Sequence, residues 1–267
     1  MLWVIGAIGA LLLAGAAYIN QSLSFSGMLA AAVMGTIYFG AGNAFWFGIL
    51  LVFFISSSSL TQLHHEDKAE LELNYDKTGR RDAGQVFANG GLGMLVVLFN
   101  ALYPLELWSY LFIGVMATVT SDTWATEIGT LSQKAPRSVL TGKVLPTGAS
   151  GGVSLPGTLA AAAGGVLIGA ASWLLQLVSG MEEQSAVLII LAGLMGGLAG
   201  AFADSILGAT VQRMNRCTIC GREVEASSHC GVPTVHARGW RWMNNDAVNF
   251  ISSLFGGVVA VLIGLLG

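Results

Sequence analysis

Charge is what this 267-residue sequence has least of: charged residues make up 10% of it, against 54% hydrophobic. A soluble domain carries about 25% charged residues, so an ordinary soluble enzyme is excluded. Basic residues are missing from all but three segments. Lys68, Lys77, Arg80 and Arg81, then Lys134, Arg137 and Lys143, then Arg213, Arg216, Arg222, Arg238 and Arg241 account for all twelve. With no basic patch interleaved by aromatics, nucleic acid is not an expected partner. The P-loop consensus G-x-x-x-x-G-K-[ST] is absent. The 36 glycines follow no collagen period; they sit within apolar runs, where small residues let membrane helices approach closely. The first apolar run has no positive region before it and no clear cleavage site, so it reads as a retained helix.

What is present is a series of apolar stretches of bilayer-spanning length, about 17–25 residues each. They fall at roughly 1–18, 24–40, 44–61, 85–103, 107–124, 155–178, 186–208 and 247–266, which predicts an all-α polytopic membrane protein with about 8 spans (7–8). Only Ala41 to Asn43 separate the second and third, which suggests a helical hairpin. No room is left for a separate soluble unit, so a single membrane-embedded domain is expected over 1–267, with loops near 62–84, 125–154 and 211–245. Eight spans put the three basic loops on one side, which the positive-inside rule makes cytoplasmic. Glu106, Glu182 and Glu183 then mark short outer loops.

Four acids depart from that pattern. Asp122, Glu127, Asp204 and Asp246 lie at the cytoplasmic ends of the fifth, seventh and eighth spans. A carboxylate at a membrane boundary is costly without a partner or an ion, so these four are read as a metal-binding or catalytic cluster rather than as solvated helix ends. Around them, Asp122 shares a helix face with Thr126, and Asp204 is followed by Ser205. Gly196, Gly200, Asp204 and Gly208 form a four-residue stripe of small residues interrupted by one acid. The last span opens NNDAVNF, with Asn245 and Asn249 on one face beside Asp246. Carboxylate and amide oxygens of this kind suit Mg²⁺, which keeps waters and substrate phosphates in its shell.

Groups suited to phosphate surround these acids. Arg80 and Arg81 precede Asp82, Gln85 and Asn89, which share a helix face; such side chains either line a site or bond neighbouring helices. After the fifth span come Lys143 and the turn Thr147, Gly148, Ser150, Gly151 and Gly152, leading into a helix with Pro156 in its first turn. A flexible linker would read the same way, but backbone N–H groups at a helix start favour anions. The loop after the seventh span holds all three cysteines, Cys217-x-x-Cys220 and Cys230, with His229 and His236 nearby. A reducing compartment disfavours a disulfide. That leaves free thiols or a Cys3His zinc knuckle, with His229 or His236 as fourth ligand. Adjacent His64 and His65 are expected to be surface residues, and Trp240 and Trp242 interfacial anchors.

The motifs RRDAGQVFANGG, SDTWATEIG, TGASGGVSLPGT, FADSILGATVQ, the CxxC followed by HC, and NNDAVNF together resemble the phytyl-phosphate kinase family over roughly residues 20–266. That family includes the chloroplast enzyme of tocopherol synthesis and bacterial and archaeal membrane proteins. More remotely, an acidic helix end followed by a lysine and a Gly/Ser-rich loop looks like the CTP-dependent phytol and dolichol kinases. The resemblance implies phosphorylation of a membrane-bound isoprenoid monophosphate, of phytyl or geranylgeranyl type, by a nucleoside triphosphate such as CTP. The setting would be a plasma or thylakoid-type membrane, with a homo-oligomer left open. An ion- or proton-coupled transporter using the same carboxylates stays as an alternative, as does another lipid-phosphate phosphotransferase or phosphatase. A transporter predicts acids near the midplane and discontinuous helices; a scaffold leaves the acids unexplained.

Overall fold

In an apolar medium, free backbone N–H and C=O groups find no partner outside the segment, so the apolar runs form helices. The computed structural model describes residues 1–63, 74–77, 79–181 and 184–267. His64, His65, Lys68, Glu182 and Glu183, each named above, lie outside the described residues. The helices are α1 (Leu2–Ile19), α2 (Phe25–Ile37), α3 (Ala44–Leu63), α4 (Ala83–Leu102), α5 (Leu107–Gly129), α6 (Leu155–Ser179), α7 (Ala186–Thr210) and α8 (Asn245–Gly264). They match the eight expected spans, with two differences. The second span does not end at residue 40: α2 runs on through a π-helical turn, Tyr38–Gly42, so that only Asn43 separates it from α3. Asn43 then caps α3, its Oδ1 accepting from the Phe45 N–H at 2.9 Å. The fifth span also continues five residues further, to Gly129, placing Glu127 on the helix rather than beyond it.

Seven of the helices are both long and apolar enough to cross a membrane. The exception is α5, which has the length, 23 residues, but not the apolarity. Its surroundings explain this. Helices α3, α4, α6, α7 and α8 all pack on it, and Phe112 to Ser121 are buried without interruption. A helix enclosed by protein needs no lipid-facing surface, so it can hold polar side chains where neighbouring carbonyls satisfy them. The Thr118 hydroxyl donates to Gly114 O and Gly196 O (2.9 and 3.2 Å), Thr120 to Met116 O (2.7 Å), and Ser121 to Ala161 O on α6 (2.7 Å).

The small-residue stripe on α7 makes this enclosure close. A Cβ at Gly200 of α7, or at Gly256 of α8, would collide with the Thr118 side chain, so either glycine can be replaced only by moving a helix. The same stripe turns Asp204 inward, towards α5 and α8.

Short strands build the loops at one end of the bundle. In the α5–α6 loop, β1 (Arg137–Ser138) pairs antiparallel with β2 (Gly152–Val153). In the α7–α8 loop, β3 (Met214–Arg216) lies between β4 (Glu223–Val224) and β7 (Val235–Arg238), and β5 (Ser228–His229) pairs with β6 (Val232–Pro233). The three basic loops meet. The Glu225 N–H donates to Asn74 O (2.8 Å), Ser150 Oγ donates to Gln212 Oε1 (2.8 Å), and Arg213 lies 3.4 Å from Asp76. The Arg238 guanidinium closes the C-terminal turn of α7 by donating to Gly208 O and Ala209 O (3.1 and 3.3 Å).

Candidate functional site

Beneath the joined loops lies a cavity of about 350 Å³, walled by α4, α5, α6, α7 and α8 and roofed by the α5–α6 and α7–α8 loops. Two carboxylates face it from adjacent helices, Asp122 of α5 and Asp204 of α7. The Ser252 hydroxyl of α8 donates to Asp204 Oδ2 at 3.1 Å. Among the described residues no cationic side chain pairs with either acid. Two half-buried carboxylates of like charge on rigid helices, with the amides of Asn89 and Asn249 and the hydroxyls of Thr123 and Ser205 lining the same cavity, suit a hard divalent cation.

The amide side chains link helices as well as line the wall. Asn249 Nδ2 donates to Asn89 Oδ1 at 3.4 Å, joining α8 to α4, and Asn89 Nδ2 donates to Gln85 O at 3.0 Å. Asp82 does not share their face. It is the N-cap of α4 in a capping box with Gln85: Oδ1 accepts from the Gln85 N–H (2.8 Å) while Gln85 Oε1 accepts from the Asp82 N–H (3.1 Å). The D-x-x-Q spacing is itself a helix-start signature.

The glycine turn forms another wall. Thr147, Gly148, Ser150, Gly151 and Gly152 all line the cavity, with Gly148 and Gly151 at φ +79° and +81°. Beyond them Ser154 caps α6, its Oγ accepting from the Gly157 N–H (3.2 Å), and the first turn of this 25-residue helix opens on the same space. The positive end of α6 is therefore presented to whatever occupies the cavity.

Three further expectations fail on geometry. Lys143 is exposed beyond the cavity wall, because β1 and the turn at Gly142 (φ +68°) carry it outward on a hairpin. Arg80 is exposed too. The chain here is extended, with Arg81 N and O bonded to Ser22 O and Ser24 N (each 3.0 Å), so neighbouring side chains point opposite ways. Arg81 takes the inward side, lying over the Phe53 and Phe54 rings with its Nη1 donating to Ser58 Oγ (3.1 Å). Burial pushes its pKa down to about 10, so it keeps its charge at neutral pH.

The third failure concerns the acids as one cluster. Among the described residues, the only group of three or more acids, histidines and cysteines gathered within 4.8 Å contains no carboxylate. Asp122 and Glu127 are separated by five positions on a continuous helix, so they diverge; Glu127 Oε1 accepts from Thr61 of α3 (3.0 Å) at the cavity's far side. Asp246, in the first turn of α8, is held by Lys77 (2.5 Å), which also contacts Asp82 (3.2 Å). Burial opposes the charge on Lys77, but its bonds to Asp246 and Asp82 outweigh this and hold its pKa above the usual lysine value. The remaining expected residues, Thr126, Asn245 and Ser205, line the cavity.

Lys77, Tyr75, Gln212 and Glu225 also line it and were not expected. No periodicity marks them, since each comes from a loop. Glu225 accepts from Gln212 Nε2 (2.8 Å), and burial pushes its pKa up to about 7.

A second, apolar cleft of about 80 Å³ opens between α1, α2, α3 and α4, lined by Leu13, Met34, Phe47, Leu50 and Phe54 among others. Arg81, Gln85 and Asn89 belong to both linings, so the greasy cleft and the polar cavity adjoin at these residues.

Protein PGR of Arabidopsis thaliana is similar to this chain, 33% identical over 267 residues, spanning 91% of this chain and 89% of its own. A membrane protein of Methanocaldococcus jannaschii is 29% identical, covering 91% and 87%. Protein VTE6, chloroplastic, of Arabidopsis thaliana is 26% identical, covering 93% and 67%. No solved structure matches. The family described as integral membrane protein DUF92 matches residues 8–257, nearly the whole helical bundle and both loops that roof the cavity, and the chain belongs to that family.

Proposed function

We propose that this protein is a lipid-phosphate kinase that transfers the γ-phosphate of a nucleoside triphosphate, CTP by resemblance, to a membrane-bound isoprenoid monophosphate of phytyl or geranylgeranyl type. The observation that bears most on this reading is the junction of the two cavities. A substrate with an anionic head and an apolar tail needs a polar space and a greasy one meeting at a cation, and Arg81 stands at that meeting point. Similarity to a chloroplastic relative and the motif resemblance to phytyl-phosphate kinases point the same way. The site then lies on the cytoplasmic side, with the basic loops.

The acceptor oxygen of a phosphate monoester is already anionic, so a strong general base is unnecessary; the obstacle is repulsion between two polyanions. Asp122 and Asp204, with Asn89 and Asn249, are the residues that would hold Mg²⁺. When bound, that ion supplies the charge neutralisation phosphoryl transfer needs. The remaining work falls to the chain. Arg81 holds the acceptor head where the lipid tail leaves the cavity. The Gly148–Gly152 turn and the start of α6 offer N–H groups to the nucleotide phosphates. Closer contact of the joined loops over bound substrate would limit water access, which favours transfer over hydrolysis. Against a transporter stands the continuity of α4 to α8, since none of these helices breaks at the acids.

The test is direct. Purified protein with phytyl or geranylgeranyl phosphate, each of the four nucleoside triphosphates and Mg²⁺ should give labelled prenyl diphosphate, fastest with one nucleotide. Release of free phosphate from the lipid would turn the reading to a phosphatase, and no turnover with either lipid would overturn it.

A further inference from the structure

The α7–α8 loop brings four soft ligands to one point. Cys217 and Cys220 lie at the turn between β3 and β4, where the Cys217 N–H donates to Arg222 O and the Gly221 N–H donates back to Cys217 O (both 3.0 Å). His229 and Cys230 lie at the turn between β5 and β6. Both turns have the same form: the second ligand is followed by a left-handed glycine, Gly221 at φ +74° and Gly231 at φ +76°. The result is two facing hairpin tips with their ligand atoms inward.

The ligand atoms of Cys217, Cys220, His229 and Cys230 all lie within 4.8 Å of one another. His229 Nδ1 is 3.4 Å from Cys220 Sγ and 3.2 Å from Cys230 Sγ. Two ligands at tetrahedral angles around zinc stand about 3.5–3.8 Å apart, given Zn–S and Zn–N bonds of ~2.3 and ~2.05 Å. The four atoms therefore need move only slightly to surround one ion. His236 is not among them: its Nε2 lies 3.1 Å from Gly239 O. The three thiols are free, and three cannot all pair as disulfides within one chain.

The loop also has little core of its own. Its strands are two to four residues long, and most of its residues are exposed. A unit this small seldom folds on its own without a disulfide, a metal or a larger surface to pack on, and its thiols are free. Between the two ligand pairs lies Glu225, tied to Asn74 O through its N–H, to Gln212 through its carboxylate, and to Asn215 Nδ2 through its carbonyl (3.1 Å).

We infer that Cys217, Cys220, His229 and Cys230 bind one structural zinc ion, and that the zinc-held knuckle positions the stretch through Glu225 as a wall of the polar cavity. The inference is independent of the reaction proposed above, since its readouts are metal content and amide exchange.

Protein purified without immobilised-metal resin or chelator should contain about one zinc per chain. A mercurial that titrates thiols should release that zinc in step with three modified thiols, a measurement that needs no variant. Cys217→Ser with Cys220→Ser should lower zinc content at least tenfold, whereas His236→Ala should retain it. After zinc release, hydrogen exchange should quicken at least tenfold in peptides containing Glu225 and stay unchanged in the buried part of α5. Folded, monodisperse protein with no zinc and three freely alkylated thiols would overturn the metal site. Zinc retained in the double variant would overturn the ligand set, and unchanged exchange at Glu225 after zinc release would overturn its positioning role.

Discussion

Asp122→Asn should make the protein more stable and less active at once. The substitution preserves side-chain shape and removes one of two like charges that adjacent helices hold in the same half-buried cavity. Repulsion between two nearby unit charges in an effective dielectric near 20 is on the order of a few kcal/mol, so relief of about 1–3 kcal/mol is expected. In detergent with EDTA, thermal unfolding of Asp122→Asn should therefore occur above that of the wild type, by about 2–4 °C per kcal/mol for a chain near this size. Added Mg²⁺ should reverse the order. A cation at one hundred times its dissociation constant stabilises the protein that binds it by ~2.7 kcal/mol, and the variant has lost half of the carboxylate pair. Transfer of labelled γ-phosphate to an isoprenoid monophosphate should fall about 10²-fold or more, ~2.7 kcal/mol of transition-state stabilisation. Asp204→Asn should follow the same pattern, tempered by loss of the charge that Ser252 donates to. A variant that is destabilised with EDTA, indifferent to Mg²⁺ and fully active would refute the reasoning and make Asp122 an ordinary structural group.

Other residues test separate parts of the site. Arg81→Gln should raise KM for the lipid phosphate at least tenfold with a smaller effect on KM for the nucleotide, because Arg81 stands where the apolar cleft meets the cavity; equal effects on both would remove it from the acceptor subsite. Lys77→Met should cost about 1–3 kcal/mol of stability by leaving Asp246 without its cation, and Lys77→Met with Asp246→Asn should recover much of it in a double-mutant cycle. Glu225→Gln should flatten the pH dependence of stability. With a folded pKa near 7 against about 4.5 unfolded, the native state binds the extra proton between those values, so wild-type stability falls as pH rises through this window. A slope unchanged in Glu225→Gln would assign it elsewhere. Lys143→Cys, exposed on its hairpin, should resist an impermeant thiol reagent in intact cells and react after permeabilisation; labelling from outside would reverse the orientation.

Span number and location were legible because lipid leaves the backbone no partner but itself, which writes each crossing as a long apolar run. The site was half legible. Asp122 and Asp204 are conspicuous because a charge in an apolar run has no cheap explanation, and the glycine turn because its composition is unusual. Lys143 and Arg80 misled for one reason: spacing along a chain says nothing of which way a loop side chain faces. Arg80 and Arg81 are neighbours, yet two backbone bonds at Arg81 decide which enters the cavity. Lys77 and Glu225 had no local signal, since their position follows from the meeting of two loops 148 residues apart in the case of Lys77 and Glu225.

Among the described helices, the one that fails the apolarity expected of a membrane span is the one that holds Asp122, and the two facts have a common cause. A carboxylate held within the thickness of the bundle needs a helix whose every face is covered, because a lipid-facing turn would expose it and neighbouring polar groups to hydrocarbon. Enclosure by α3, α4, α6, α7 and α8 supplies that cover, and it requires the glycines of α7 and α8 that let three helices close on Thr118. Once enclosed, α5 is free of the need to be apolar, and threonine and serine replace leucine along its C-terminal half. Low apolarity in a buried central helix therefore points to the end of the bundle that holds the polar cavity. By the same logic, Gly200→Leu should impair the site from a distance: it would push α7 from α5 and separate Asp204 from Asp122 without altering the chemistry of any cavity side chain. Loss of Mg²⁺-dependent stabilisation in Gly200→Leu, in protein that still inserts and elutes as a single species, is the expected result. Retention of both Mg²⁺ response and activity would show that the acids do not act as a pair.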